Sequence, residues 1–308
     1  MALGTNHTTK AVADYFIPEL WSDEVIAGYK KNLVLANLVT RMSHKGKKGD
    51  TVHIPAPARG SASAKAAGTQ VTLVAPSHSE VQVSINKHYE YSVLIEDIVE
   101  VQALQSLRRF YTDDAGYALA TQVDSDLFST AALLQGGNGT TGTAGWNKAK
   151  VWDTAGVLSD YTAATSNAAD ITDAGIRGMI LALDNADVPM DNRALVIPPI
   201  AANDLLGINR FTEQQYIGSG DAIKTGKIGM IYGVDVYVSN NCPTAGASSD
   251  RVGLLVHKDA LVLAEQMGVR SQTQYKQEYL GDLFTADTLY GVAELRDNAG
   301  LAFVVPAS

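Results

Sequence analysis

Hydrophobic and polar positions along the chain fall into segments of different period. From Val12 to Leu38 apolar residues are frequent (Phe16, Ile17, Leu20, Trp21, Val25, Leu33, Leu35, Leu38), but Pro18 and Gly28 interrupt any single long helix. Such a stretch packs on something larger, and Trp21 is its natural anchor. Further on, Val52 and Ile54, Val71 and Leu73, and Val81, Val83 and Ile85 alternate with polar neighbours, as strands do. Pro55 to Gln70 lies between them with no large apolar residue, so it builds no core of its own. The pattern predicts a projecting β-hairpin with a small-residue tip, and strands of about ten residues would reach about 33 Å. Isolated two-stranded hairpins are marginal in water, which points to a neighbouring subunit as the surface it lies on.

A helical period follows. Leu104, Leu107, Tyr111, Ala115, Ala118, Leu119, Val123, Leu127, Ala131 and Leu134 recur mostly three and four apart, predicting a helix over Glu96 to Leu134 with Gly116 as a weak point. It would span about 58 Å, longer than the roughly 50 Å diameter of a compact ball of this chain length. The acidic pairs Asp113-Asp114 and Asp124-x-Asp126 read as its exposed face. Gln135 to Asp170, rich in Gly, Thr, Ala and Asn, reads as a loop or insertion with local structure near Trp146, Val151 and Trp152. A helix opening near Thr172 and stopping before Pro189, a short strand from Arg193 and a brief helix from Ile200 to Gly207 come next. Arg210 to Lys227 falls in a loop, and Val234, Val236 and Val238 alternate as a strand. The rest is β-rich: Arg251 to His257, an alternation through Val269 and Tyr275, and a closing hairpin of Thr288 to Leu295 with Leu301 to Val305.

Composition narrows the function classes. The 308 residues would make roughly two ordinary domains, and the single cysteine, Cys242, excludes an internal disulfide framework and cysteine-rich zinc modules. A net charge of −9 argues against a broad phosphate-binding surface, and the basic run Arg41 to Lys48 is punctuated by Gly46 and Gly49 as a loop. No stretch approaches the roughly 18 apolar residues of a membrane span, and no signal-peptide pattern is visible. Catalytic signatures are missing as well: no His-Glu-x-x-His, no Gly-x-Ser-x-Gly and no ligand-like spacing among the six histidines. Gly218 to Thr225 is the nearest miss to a phosphate loop, with Ile223 where the glycine before the lysine is needed. No catalytic residue, metal site or cofactor is expected.

The order of parts, rather than any one motif, carries a resemblance. Ile17 to Val25 with Asn32 to Leu38, Leu183 to Pro189 with Arg193 to Pro199, Gly229 to Asn240, and Tyr290-Gly291-Val292 with Arg296-Asp297 together resemble the Hong Kong 97-type major capsid protein of tailed bacteriophages. The resemblance covers nearly the whole chain. It implies an α+β fold with an N-terminal arm at 1–40 and an extended E-loop hairpin at 41–86. A peripheral domain with a long spine helix and a Gly/Thr-rich insertion would occupy 87–170, and an axial domain 171–244. The returning β-rich segment 245–308 would complete both domains.

The resemblance also implies a shell of hexamers and pentamers enclosing double-stranded DNA, touched non-specifically, in a virion assembled in the host cytoplasm. A portal and a decoration protein are implied partners, and a separate scaffolding protein is expected because the arm-like sequence begins almost at once. Candidate subunit-interface residues are Trp21 in the arm, Arg59 and Lys65 in the hairpin, and Arg210 and Lys224 in the axial loop. Lys65 is read as a solvated charge rather than a crosslinking lysine, since nothing marks a partner asparagine. An encapsulin-like nanocompartment is the alternative within the same fold, separated by whether enzyme cargo or DNA is enclosed.

Overall fold

The computed structural model describes residues 34–45, 49–57, 62, 64–71, 73, 78–98, 107–135, 146, 148–162, 165–208, 229–245 and 249–307. Its first half holds α1 (Leu35–Leu38), β1 (Thr40–Ser43), β2 (Thr51–Pro57), β3 (His78–Ser84), β4 (Lys87–Glu96), α2 (Leu107–Ala131), β5 (Lys150–Trp152) and β6 (Leu158–Asp160). After them come α3 (Asp173–Asn185), β7 (Arg193–Ile197), α4 (Pro199–Leu206), β8 (Met230–Ile231), β9 (Val234–Val238) and β10 (Thr244–Ala245). The last elements are β11 (Asp250–His257), β12 (Leu261–Lys276), β13 (Gly281–Glu294), a 3₁₀ turn (Asp297–Ala299) and β14 (Gly300–Val305).

The larger sheet has the order β6-β5-β14-β11-β7-β9-β8, with β10 paired to β11, and its central strands bury both faces. Every position of β7 and β14 is buried, as the apolar runs Ala194 to Ile197 and Leu301 to Val305 require of central strands. Ile176, Met179 and Leu183 of α3 and Ala201 and Leu205 of α4 pack on this sheet against Ile197, Leu255 and Phe303. The Thr172 hydroxyl caps α3 by accepting from Gly175 N–H at 3.1 Å. At the other end of α3, the Arg193 guanidinium, 2% exposed, donates to the carbonyls of Val188 and Pro189 and to Asp184. That buried arginine closes the helix C-terminus and fixes where β7 begins.

The second sheet has the order β1-β12-β13-β4, with β1 parallel to β12 and the other pairs antiparallel. Helix α2 covers one face: Ala115 and Leu119 meet Phe284 and Ala286, while Leu127, Phe128 and Ala131 join Leu261, Leu263 and Tyr290. The root of the β2–β3 hairpin covers part of the opposite face, where Val83 and Ile85 pack on Val262 and Ala264. Gly291 makes this approach possible, because a Cβ there would stand 2.4 Å from the Ser84 carbonyl oxygen. Gln266 Nε2 adds a hydrogen bond to Gly49 O at 3.0 Å. The root of the hairpin is therefore held on the sheet at a fixed seat.

Four expectations change. Glu96 ends strand β4 rather than opening a helix, because Lys87 to Glu96 alternates and pairs with β13 along its whole length. Helix α2 ends at Ala131 rather than Leu134, and residues 99–106 before its described start lie outside the described residues. The hairpin ladder joins Thr51–Pro57 to His78–Ser84, about 23 Å of strand, while Val71 and Leu73 lie outside it, exposed by 61% and 90%. The closing hairpin does not form: β13 sits in the four-stranded sheet and β14 in the larger one, and the 3₁₀ turn carries the chain between them. The unbroken apolar GLAFVV is drawn to the middle of the larger sheet, between β11 and β5.

Two glycines give opposite expected outcomes in urea unfolding of the purified chain. Gly291→Ala forces the hairpin root off the sheet and lowers stability by about 1–3 kcal/mol. Gly116→Ala, in α2 with nothing within 4 Å of the added carbon, raises it by about 1 kcal/mol.

Candidate assembly surfaces

One turn of α2 gathers segments from across the chain. Asp124 stands at the head of the helix's apolar stripe, three, four and seven residues before Leu127, Phe128 and Ala131, and is fully buried. Its Oδ1 accepts the Leu35 N–H at 2.9 Å and its Oδ2 accepts from Asn241 Nδ2 at 3.0 Å. Burial, the largest influence, pushes this carboxyl above its ordinary range, opposed by the hydrogen bonds from Asn241 and the α1 backbone. Asp126, two residues on, is also buried; its Oδ2 accepts from Tyr290 Oη at 2.8 Å and lies 3.3 Å from Lys87 Nζ. Gln122 Nε2 completes the set at 3.2 Å from Oδ1. Burial and then Asp126 push the Tyr290 phenol upward.

These two carboxylates are not the exposed helix face that the sequence pattern predicts. Asp124 and Asp126 occupy inward positions of the three-and-four repeat, and that spacing was the available signal. Their partners Leu35, Lys87, Asn241 and Tyr290 left no such signal, since each reaches the helix through long-range folding.

Outside this joint the described surface carries unsatisfied apolar area. At the far end of the β12–β13 tongue, Tyr275, Tyr279 and Leu280 are exposed, with Ile98 and Leu94 exposed on the β4 side. Tyr275 Oη donates to Asp97 at 2.8 Å there, tying the tongue to the end of β4. A groove of about 330 Å³ runs between α2 and β12, lined by Leu119, Val123, Leu263, Val269 and Tyr290, with Arg41 among its polar lining residues. On the sheet face away from α2, Arg270 grips Asp287 in a bidentate pair at 2.7 and 2.9 Å, and His88 Nε2 lies 3.1 Å from the same carboxylate. Arg270 hydrogen bonding first, then His88, holds the Asp287 carboxyl below 3.8. The pair sits just past the irregular register between Met267 and Arg270 and restores the ladder to β13.

Of the candidate interface residues, Lys65 is described and exposed on the segment beyond the hairpin ladder. Trp21, Arg59, Arg210 and Lys224 lie outside the described residues. Cys242 is buried, and desolvation pushes its thiol up to about 12, which makes it unreactive. Among the described residues no group of three or more His, Cys, Asp or Glu side chains is placed to hold a metal ion. No described helix is long and apolar enough to cross a membrane.

Residues 91–300 match the family described as phage capsid protein. The chain belongs to that family. No curated protein matches the sequence. Among solved structures, one of Mycobacterium phage Che8 shares 25% identity at a TM-score of 0.74, covering 94% of this chain and 97% of that one. The capsid of cyanophage P-SCSP1u shares 22% identity at a TM-score of 0.76, covering 99% and 97%. The capsid of cyanophage Pam1 shares 13% at a TM-score of 0.70, covering 99% and 100%. This capsid protein therefore has the Hong Kong 97-type α+β fold, as the sequence resemblance implies, and its place is the virion shell.

Within the capsid protein, Asp126→Ala leaves the Tyr290 hydroxyl and Lys87 without their partner and should cost about 2–3 kcal/mol in urea unfolding, against about 1 kcal/mol for Tyr290→Phe. The Arg270–Asp287 pair has its own pH signature. A carboxyl held below its unfolded value adds stability above that value and loses it as the pH falls through the folded one. Arg270→Ala should therefore show a small deficit at pH 7 that closes as the pH drops below 3.8.

Proposed function

We propose that this capsid protein is the repeating tile of an icosahedral shell, assembled as hexamers and pentamers around double-stranded DNA. The observation that carries the reading is the likeness to capsid structures over nearly the entire chain, together with family membership over residues 91–300. In this reading residues 1–40 are the arm, 41–86 the E-loop hairpin, 87–170 the peripheral domain and 171–244 the axial domain. The segment 245–308 completes both, which is compatible with β11 and β14 joining one sheet and β12 and β13 the other.

Assembly supplies what the single subunit lacks. The exposed Val71 and Leu73 beyond the hairpin ladder and the apolar tongue tip at Tyr279 and Leu280 are surfaces that neighbouring tiles would cover. Each contact can be weak, because closed symmetry repeats it many times. Trp21, Arg59, Lys65, Arg210 and Lys224 are the interface residues proposed for the arm, the hairpin and the axial loop. The net charge of −9 suits a lining that touches DNA sparingly. A separate scaffolding protein, a portal and a decoration protein are the proposed partners, with assembly in the host cytoplasm. The protein's role is structural rather than enzymatic.

Electron microscopy of the purified chain, expressed alone and together with candidate scaffolding proteins, tests this. Closed shells with five- and six-fold capsomers are the expected result. Persistently monomeric material under every condition would overturn the tile assignment. Shells that retain a host enzyme and exclude DNA would instead favour an encapsulin-like compartment.

A further inference from the structure

The groove between α2 and β12 opens beside the place where the described chain begins. Asp124 holds the Leu35 N–H, and the groove's helical wall, with Ala120 and Val123, lies within about one turn of that carboxylate. Ala36 and Asn37 line its near end, two residues past Val34, the first described residue before α1. The opposite wall is the irregular stretch of β12 between Met267 and Arg270, where Gly268 carries no side chain and Val269 stays 60% exposed. About 330 Å³ is at the lower end of ligand-sized pockets, room for one large aromatic side chain and a smaller neighbour.

Charge narrows what fits. Arg41 lines the groove and donates to neutral acceptors, from Nε to Ala36 O at 2.7 Å and from Nη2 to Asn37 Oδ1 at 3.1 Å. Lys45 brings a second cation to the Gly268 side, its Nζ 3.4 Å from where a Cβ of that glycine would stand. Glu265 is the one acid among the described lining residues. An occupant suited to this groove carries apolar side chains and negative charge together. Residues 16–25 have that composition: Phe16, Ile17, Leu20, Trp21 and Val25 alternate with Glu19, Asp23 and Glu24, and there is no lysine or arginine.

We propose that in the unassembled subunit residues 16–25 of the same chain dock in this groove, with Trp21 as the anchor. Nine residue steps separate Val25 from Val34, about 30 Å when extended, so the groove is within reach. Such a tether holds the segment near its site at an effective concentration of about millimolar, an advantage no second molecule has before assembly. The indole meets the apolar surface of Leu263, Val269 and Tyr290, and Arg41 and Lys45 answer the acids that flank Trp21 on both sides. In a shell the same segment and groove fit equally well between copies, so passing Trp21 to a neighbour exchanges like for like.

Chemical linking of the full chain with a short bis-maleimide tests this, with linked peptides identified by mass spectrometry. Cys242 is buried and stays out of the reaction. Ser22→Cys combined with Ala120→Cys, at the exposed rim of the groove, should give a link within one chain. Its yield should exceed by about tenfold that of Ser22→Cys combined with Ser92→Cys, an exposed position on β4 away from the groove. Adding Trp21→Ala should cut the link to residue 120 by about tenfold, as loss of an anchoring aromatic does. Equal yields at residues 120 and 92 overturn the proposal, as does a yield unmoved by Trp21→Ala. Linking that is as efficient when the two cysteines sit on separate, mixed chains also overturns it, because the occupant is then a second copy. The measurement is made on the unassembled chain, so its outcome is independent of whether shells form.

Discussion

A buried carboxylate must be met by donors, and α2 carries two of them on one turn. That requirement organises the subunit more tightly than any apolar cluster, because hydrophobic contact tolerates small slides and hydrogen bonds to a buried oxygen do not. Asp124 obliges α1 and the turn at Asn241 to come to the helix. Asp126 obliges the start of β4, through Lys87, and the middle of β13, through Tyr290, to do the same. The four-stranded sheet is thereby held at a set angle and height on its helix. The hairpin seated on the sheet's other face inherits that placement.

At the seat an absent side chain at Gly291 lets backbone approach backbone, and Val83 and Ile85 fill the space beside it. Such an arrangement fixes the root of a projection and leaves its far end to be positioned by whatever it meets. For a shell protein this division is useful. The root transmits orientation within the subunit, and the sequence between the two strands is poor in large side chains.

Much of this was legible in the residues. The alternation at Val52, Ile54, Val81 and Val83 marked the hairpin, and the apolar repeat around Leu119 to Ala131 marked the core of the spine helix. Thr172 announced a cap that the structure places within hydrogen-bonding distance of Gly175. What stayed hidden shares a physical cause. Strand β4 alternates at Tyr89, Tyr91, Val93 and Ile95, but where it ends is set only by its pairing with β13, and the turn at Arg296 to Gly300 looks the same whether it closes a hairpin or carries the chain to another sheet. Asp124 and Asp126 were misread because charge usually signals solvent, and only the arrival of distant donors reverses that rule. Of the interface candidates, Lys65 alone falls among the described residues, and its exposure neither singles it out nor removes it.

The register of the four-stranded sheet also governs how the subunit is made. Thr40 pairs with Val262 and Leu94 with Leu283, so both edge strands come from the early chain while the central hairpin, β12 and β13, comes late. Loop closure over such separations is slow, and strand edges wait unpaired until it occurs. During synthesis the strands around Arg41 and Tyr91 therefore exist for many seconds before their partners emerge. A tile designed to stick to copies of itself passes through its most adhesive state before it has a shape, which makes protection of the nascent chain a condition of orderly shell building.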